Sequence, residues 1–211
     1  MNAWKASSGK RGLWEKTNFD LAMKEYLDEI IEKENFSGES LVGRIYDGCT
    51  FRSCNFAEAR LAEVRFMDCR FEDCDLSNAA LEKTAFQEVV FSGCKLLGLQ
   101  FDRCENLGLA MEFERCLLRH ATFYGLKLTQ TSFKECDMVE SDFSSADLSQ
   151  AVFDDCAMGG TLFTDSNLEG SDFRTARDYL INPENTRLKG ARFSMPGALG
   201  LLGHLDIEIE I

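Results

Sequence analysis

From Phe36 onward a large apolar residue returns at every fifth position without a gap, through Leu41, Tyr46, Phe51, Phe56, Leu61, Phe66, Phe71, Leu76, Leu81, Phe86, Phe91, Leu96 and Phe101. Few features constrain a fold more. A buried helical stripe needs a period near 3.6 and a half-buried strand needs a period of 2, so a strict five demands another backbone path. The residue two places before these is usually small or apolar, as at Cys49, Cys54, Ala59, Val64, Cys69 and Cys74, so two side chains per repeat turn inward.

The register slips by two residues within ENLGLAMEF. It then resumes at Phe113, Leu118, Phe123, Leu128, Phe133, Met138, Phe143, Leu148, Phe153, Met158, Phe163, Leu168 and Phe173. Asp178 and Pro183 occupy the next two positions before Leu188 and Phe193 return on register, so that stretch is irregular in shape without an insertion. Residue type also sorts at a spacing of twenty. Phe51, Phe71 and Phe91 share one phase, Phe113, Phe133, Phe153, Phe173 and Phe193 another, and Leu128, Leu148, Leu168 and Leu188 a third. Twenty residues therefore close one turn, and the 17 Phe against 4 Tyr and 2 Trp reflect one slot used repeatedly.

A small residue, then often Asp or Asn, then Leu or Phe, repeated every five, resembles the pentapeptide-repeat family over residues 36–193. The resemblance implies an all-β solenoid, a right-handed quadrilateral β-helix of about eight coils, with the large residue and the small one two places before it inside. At ~4.8 Å between stacked strands, the rod would be about 38 Å long. The chain divides into an N-terminal extension (1–35), the solenoid (36–193, with its break near 104–112) and a C-terminal segment (194–211). In the extension, Phe19, Met23, Tyr26, Leu27, Ile30 and Ile31 fall at helical spacing after Thr17 or Asn18, which predicts an amphipathic helix over 18–31 covering the first coil.

All nine cysteines occupy the inward small position or its register equivalent, so they read as core residues rather than as a disulfide framework or metal site. His120 and His204 lie in no ligand-spaced cluster, and neither a phosphate loop nor a nucleophile elbow is present. Asp137, Asp142, Asp147 and Asp172 recur at one repeat position, which fits corner hydrogen bonding better than acid–base chemistry. The chain reads as non-enzymatic, with no cofactor and no metal. No apolar run long enough to span a membrane and no signal-peptide core is seen, so the expected location is the cytoplasm.

Net charge is −13, which disfavours direct nucleic-acid binding. Residues 134–173 hold ten acids against Lys134 alone, a net −9 over about 10 Å of rod, comparable with duplex DNA at one phosphate per ~1.7 Å. The candidate partner-binding belt is Glu135, Asp137, Glu140, Asp142, Asp147, Asp154, Asp155, Asp165 and Glu169. Glu135 stacks on Asp155 with Asp137, Glu140 and Asp154 nearby, making one candidate acidic face. A solvated surface that keeps a rod soluble is the alternative. The segment SMPGALGLLGHLDIEIEI predicts a short helix begun by Ser194 and Pro196, then a polar–apolar alternation from Asp206. Gly197, Gly200 and Gly203 would line one helix face flanked by Leu199, Leu202 and Leu205, a pattern compatible with a cap on the last coil or with a two-fold dimer contact.

Length, the mid-chain break and this C-terminal segment are similar to the Qnr and MfpA type of pentapeptide-repeat protein. That resemblance implies a rod-shaped DNA mimic, dimeric through its C-terminal end, that binds DNA gyrase or topoisomerase IV and in some cases protects it from quinolones. This chain has no room between Phe113 and Phe173 for the extruded loops on which Qnr protection depends, and it carries the extra N-terminal residues. A structural or scaffold module docking through the N-terminal helix is the other reading.

Overall fold

A computed structural model describes residues 24–205, 207 and 208. The chain winds as a parallel β-solenoid of about eight turns. Strands β1 (Glu25–Leu27), β3 (Ile45–Asp47), β5 (Arg65–Met67) and β7 (Ala85–Gln87) stack in one four-stranded sheet. A nine-stranded sheet runs from β2 (Ile30–Glu32) through β4 (Thr50–Arg52), β6 (Arg70–Glu72), β8 (Val89–Ser92), β9 (Met111–Glu114), β10 (Ser132–Lys134), β11 (Val152–Asp154) and β12 (Asp172–Phe173) to β13 (Arg192–Phe193). Every pairing is parallel, with partners twenty apart except across the break, where Phe91 pairs with Phe113.

Four inward columns define four faces. Face 1 carries Phe51 to Phe193 and the long sheet. Face 2 carries Phe56, Leu76, Leu96, Leu118 and Met138, face 3 Leu61, Leu81, Phe101, Phe123 and Phe143, and face 4 Tyr46, Phe66, Phe86, Leu128 and Leu148. All of these except the terminal Phe193 are buried. Within a column the strand spacing sets the ring spacing, as in Phe113–Phe133 (5.1 Å) and Phe133–Phe153 (5.2 Å). Across the core the column of the opposite face meets it edge-on, as in Phe133–Phe143 (5.8 Å, 87°). Such pairs add about 0.5–1.5 kcal/mol each beyond the area they bury.

The small inward slot has a chemical reason for its residue types. Its side chain donates to the carbonyl of a central residue one coil back: Cys74 Sγ to Phe51 O (3.4 Å), Cys156 Sγ to Phe133 O (3.5 Å), Ser141 Oγ to Leu118 O (2.7 Å) and Thr161 Oγ1 to Met138 O (2.7 Å). A thiol or hydroxyl fits both the space and that acceptor. All nine cysteines are free and buried, and Cys54, Cys74, Cys94, Cys116, Cys136 and Cys156 form one column. Burial pushes the Cys69 thiol up to about 12. Two residues beyond most centres the backbone turns through positive φ, and non-glycine residues occupy most of these corners, among them Glu135 (52°) and Asp155 (51°). In the irregular coil Tyr179 and Ile181 fill the core in place of Asp178 and Pro183.

The N-terminal helix expected over 18–31 is corrected for its described part. Residues 25–32 are strands, with Tyr26 paired to Tyr46 and Ile31 to Phe51, so the solenoid begins at least eleven residues before Phe36. Tyr26 and Ile31 are five apart and satisfy both periods, whereas Leu27 (57% exposed) and Ile30 (62%) point outward and do not belong to a buried stripe. Residues 18–23 lie outside the described residues. At the other end the chain forms a 3-10 helix, Gly197–Leu201, rather than an α-helix, with Gly197 N donating to Ser194 Oγ (3.1 Å). Asp206 and residues 209–211 of the expected alternation lie outside the described residues, and Ile207 and Glu208 adopt no regular structure.

Candidate protein-interaction surface

The nine belt acids lie on all four faces. Glu135, Asp154 and Asp155 belong to face 1, Asp137 and Glu140 to face 2, Asp142 and Asp165 to face 3, and Asp147 and Glu169 to face 4. At the repeat position before each centre, a carboxylate closes an Asx turn: Asp142 Oδ1 accepts from Ser144 N (2.8 Å), Asp147 Oδ1 from Ser149 N (3.1 Å), Asp137 Oδ1 from Val139 N (3.3 Å) and Asp172 Oδ1 from Arg174 N (3.1 Å). The corner hydrogen bonding read from the sequence is their local role.

The winding gives part of the candidate acidic face charge partners from within the chain. Glu135, Asp137, Glu140, Asp154 and Asp155 gather along faces 1 and 2, where cations reach Glu135, Asp137 and Asp155, and neighbouring polar side chains reach Glu140 and Asp154. Arg119 Nε lies 2.7 Å from Asp137 Oδ2, Arg177 Nη1 2.9 Å from Asp155 Oδ1, Lys134 Nζ 3.9 Å from Glu135 Oε1 and His120 Nδ1 3.1 Å from Glu140 Oε2. Asp154 accepts from Thr175 Oγ1 (2.9 Å). The pairing extends along face 1, where outward side chains one coil apart alternate in sign on either side of Ser92. Arg52 bridges Glu32 (3.2 Å) and Glu72 (2.8 Å), and Lys134 reaches Glu114 (3.4 Å). Each such exposed pair is worth about 0.2–1 kcal/mol. The ladder is an intramolecular device and offsets part of the negative charge on that face.

Asp142, Asp147, Asp165 and Glu169 make no ion pair among the described residues, and they occupy the adjacent faces 3 and 4. Burial acts to raise the Asp147 pKa, but hydrogen bonds from Ser149 and Asn167 and the charge of Arg187 outweigh it and hold the carboxyl below its ordinary value. Tyr124 (55% exposed) and Leu162 (52%) stand beside Asp142 and Asp165 on face 3.

At the C-terminal end the three glycines serve close approach within the chain. A Cβ at Gly197 would overlap Tyr179 Oη, one at Gly200 would overlap the Tyr179 carbonyl oxygen, and one at Gly203 would stand 2.6 Å from Leu180 Cδ2. The glycine face is thus the cap on the last coil. Leu199 (42%), Leu202 (38%) and Leu205 (44%) remain exposed beside Leu180 (61%).

The family model described as "Pentapeptide repeat region" matches residues 45–107 and 109–177. The chain belongs to the pentapeptide-repeat family. Among solved structures, this pentapeptide-repeat protein is similar to a trypsin-treated variant of QnrB1, a plasmid-mediated fluoroquinolone resistance protein. The likeness has 18% identity, covers 90% of this chain and 98% of that one, and gives a TM-score of 0.54. It is also similar to HetL, a pentapeptide-repeat protein involved in heterocyst differentiation regulation in the cyanobacterium Nostoc sp. strain PCC 7120, with 17% identity, coverage of 82% and 90%, and a TM-score of 0.52. At these identities the likeness is one of fold. Among curated proteins, none matches the sequence. No helix among the described residues is long and apolar enough to cross a membrane.

Proposed function

We propose that this pentapeptide-repeat protein is a non-enzymatic cytoplasmic rod that docks on another protein through faces 3 and 4, and that a type II topoisomerase, DNA gyrase or topoisomerase IV, is its partner. The observation that carries the reading is the set of unpaired acids, Asp142, Asp147, Asp165 and Glu169, on two adjoining faces of a chain of net charge −13. A rod with fixed negative charge suits a basic groove. The likeness to QnrB1 supports the choice of partner. The exposed leucines Leu199, Leu202 and Leu205 support a homodimer through the C-terminal end, which light scattering would show as twice the single-chain mass.

The test is DNA supercoiling by purified gyrase, with and without a quinolone. Reversing Asp142, Asp147, Asp165 and Glu169 to Lys should abolish inhibition or protection. The same reversal of Glu135, Asp137, Asp154 and Asp155 should leave most of it. Absence of any effect or binding by the wild-type chain sinks the reading.

The charge-paired face 1 favours a second reading, a scaffold whose partner does not read charge. Deletion of residues 1–23 separates the two. A longer deletion would remove β1 and β2 and open the solenoid itself. Partner binding lost with 1–23 but retained after charge reversal would make the rod a spacer.

A further inference from the structure

The two-residue slip is divided unevenly between two places, and the division leaves a hole. Ala110 N donates to Phe86 O (3.0 Å), which sets Ala110 beside Gln87 and Leu109 in the central slot next to Phe86. Phe86 to Leu109 is 23 positions instead of the regular twenty, and Leu109 to Phe113 is four instead of five. Three residues are gained before Leu109 and one is lost after it. The lost residue is the corner, because Met111 pairs with Val89 and nothing stands opposite Glu88.

A missing corner also removes hydrogen-bond donors. Elsewhere the corner N–H donates to the carbonyl one position before the corner in the next coil, as Asp68 N does to Gln87 O (2.9 Å) and Gln130 N to Ser149 O (2.9 Å). The central N–H donates likewise, as Leu128 N does to Asp147 O (2.7 Å). Here no residue supplies the corner N–H for Thr129 O, and Leu109 N turns to Asn106 O (3.4 Å) instead of Lys127 O. Among the described residues neither carbonyl has a backbone donor. Thr129 Oγ1 is buried and also lacks a partner.

These three acceptors border a notch of about 340 Å³ at the edge of faces 4 and 1. Its floor is Val89, Ala110 and Met111, and the exposed carboxylates of Glu88 and Glu112 stand on its rim with the ammonium of Lys127. A shallower hollow on face 1, about 250 Å³, shares Val90 and Glu112 with it. The site offers acceptors to a ligand that has only donors, and its rim is net negative. A planar guanidinium carries five N–H donors and no acceptor, is less strongly hydrated than an ammonium, and brings an aliphatic stem for an apolar floor. Carbonyls without a donor, beside a buried hydroxyl without a partner, gain most from such a group.

We propose that this notch receives an arginine side chain of the docking protein, which donates to Lys127 O, Thr129 O and Thr129 Oγ1 and pairs with Glu88 and Glu112. The proposal rests on the docking reading above and names the partner chemistry it requires. Lys127 is the native competitor for the notch, held on a flexible stem.

The probe is N-acetyl-arginine methylamide, titrated at low ionic strength into the 15N-labelled full chain, with the uncharged citrulline analogue as control. Amide shifts should concentrate at Val89, Ala110, Met111 and Thr129–Thr131. They should weaken at least about fivefold in E88Q/E112Q, strengthen in Lys127→Met, and vanish when one glycine inserted between Ala110 and Met111 restores the corner. Equal shifts with citrulline, unchanged binding in E88Q/E112Q, or shifts spread evenly over Asp142, Asp165 and Glu169 would overturn it. The small probe needs no partner, so a silent gyrase assay leaves this result standing, and an active one can coexist with an empty notch.

Discussion

Replacing Gly200 with alanine sets two opposed effects against each other. The backbone there does not require glycine, so reduced freedom of the unfolded chain favours alanine by up to about 1 kcal/mol. Against this, the new methyl would overlap the Tyr179 carbonyl oxygen and lie 3.0 and 3.1 Å from ring carbons Cδ2 and Cε2. Tyr179 is 3% exposed and is backed by Phe173 (5.3 Å) and Phe193 (6.0 Å), so the ring has nowhere to retreat. The cap must move instead, and the bond from Ile181 N to Gly200 O (3.1 Å) goes with it. Overpacking costs about 1–3 kcal/mol and the bond about 1. The balance is a loss of roughly 1–3 kcal/mol, or about 5- to 150-fold in the local opening equilibrium. Coils touch only their neighbours, so the loss should stay local. Amide exchange should quicken at Ile181 and Leu202 while Phe71 and Phe91 keep their protection. Unchanged protection or a higher melting temperature would refute the assignment of the glycine face to capping. A dimer that becomes monomeric with protection intact would put that face between two chains.

Truncating Phe133 to alanine, in the middle of its column, should cost about 3–5 kcal/mol in denaturant melts, against under ~1.5 for a volume-conserving change elsewhere in the core. The Arg174 side chain, through hydrogen bond and charge, holds Asp172 below its ordinary 3.8, with Arg192 adding to it. A depressed carboxyl stabilises the fold above its unfolded value and loses that contribution as pH falls below it, so wild-type stability should drop more steeply than that of Asp172→Asn below about pH 4. Native protein at pH 8 should resist an aromatic disulfide reagent at all nine thiols, which should become reactive only in denaturant; rapid labelling of any one would place it outside the core.

The inward half of this molecule is legible in its sequence because each inward residue repeats a local rule. Phe113, Phe133 and Phe153 reveal the turn length simply by sharing a type at a spacing of twenty. The N-terminal coil misleads because Tyr26, Leu27, Ile30 and Ile31 serve a period of 3.6 as well as one of five, and only pairing with Tyr46 and Phe51 decides between them. Charge misleads for a different reason. Counting along residues 134–173 isolates the acids from Arg119, eighteen positions before Asp137, and from Arg177, twenty-two after Asp155, which the winding sets beside them. The slip at ENLGLAMEF is visible as two residues, but its division into three gained and one lost depends on which residue follows Phe86 in the column. No local pattern in the sequence encodes that choice.

A stack held together only by adjacent coupling is as strong as its weakest rung. On face 1 the sheet crosses the break intact, with β8 and β9 in register over four residues. On face 4 the ladder stops at β7, and the rungs toward Lys127 and Thr129 are missing. Strain on the rod therefore concentrates at one level and on one side. The two halves should bend like a book about its spine along face 2, opposite the gap, where Lys95 still pairs with Leu117, opening at the notch, and force or denaturant should part the molecule there into an amino-terminal and a carboxy-terminal block before either block unravels.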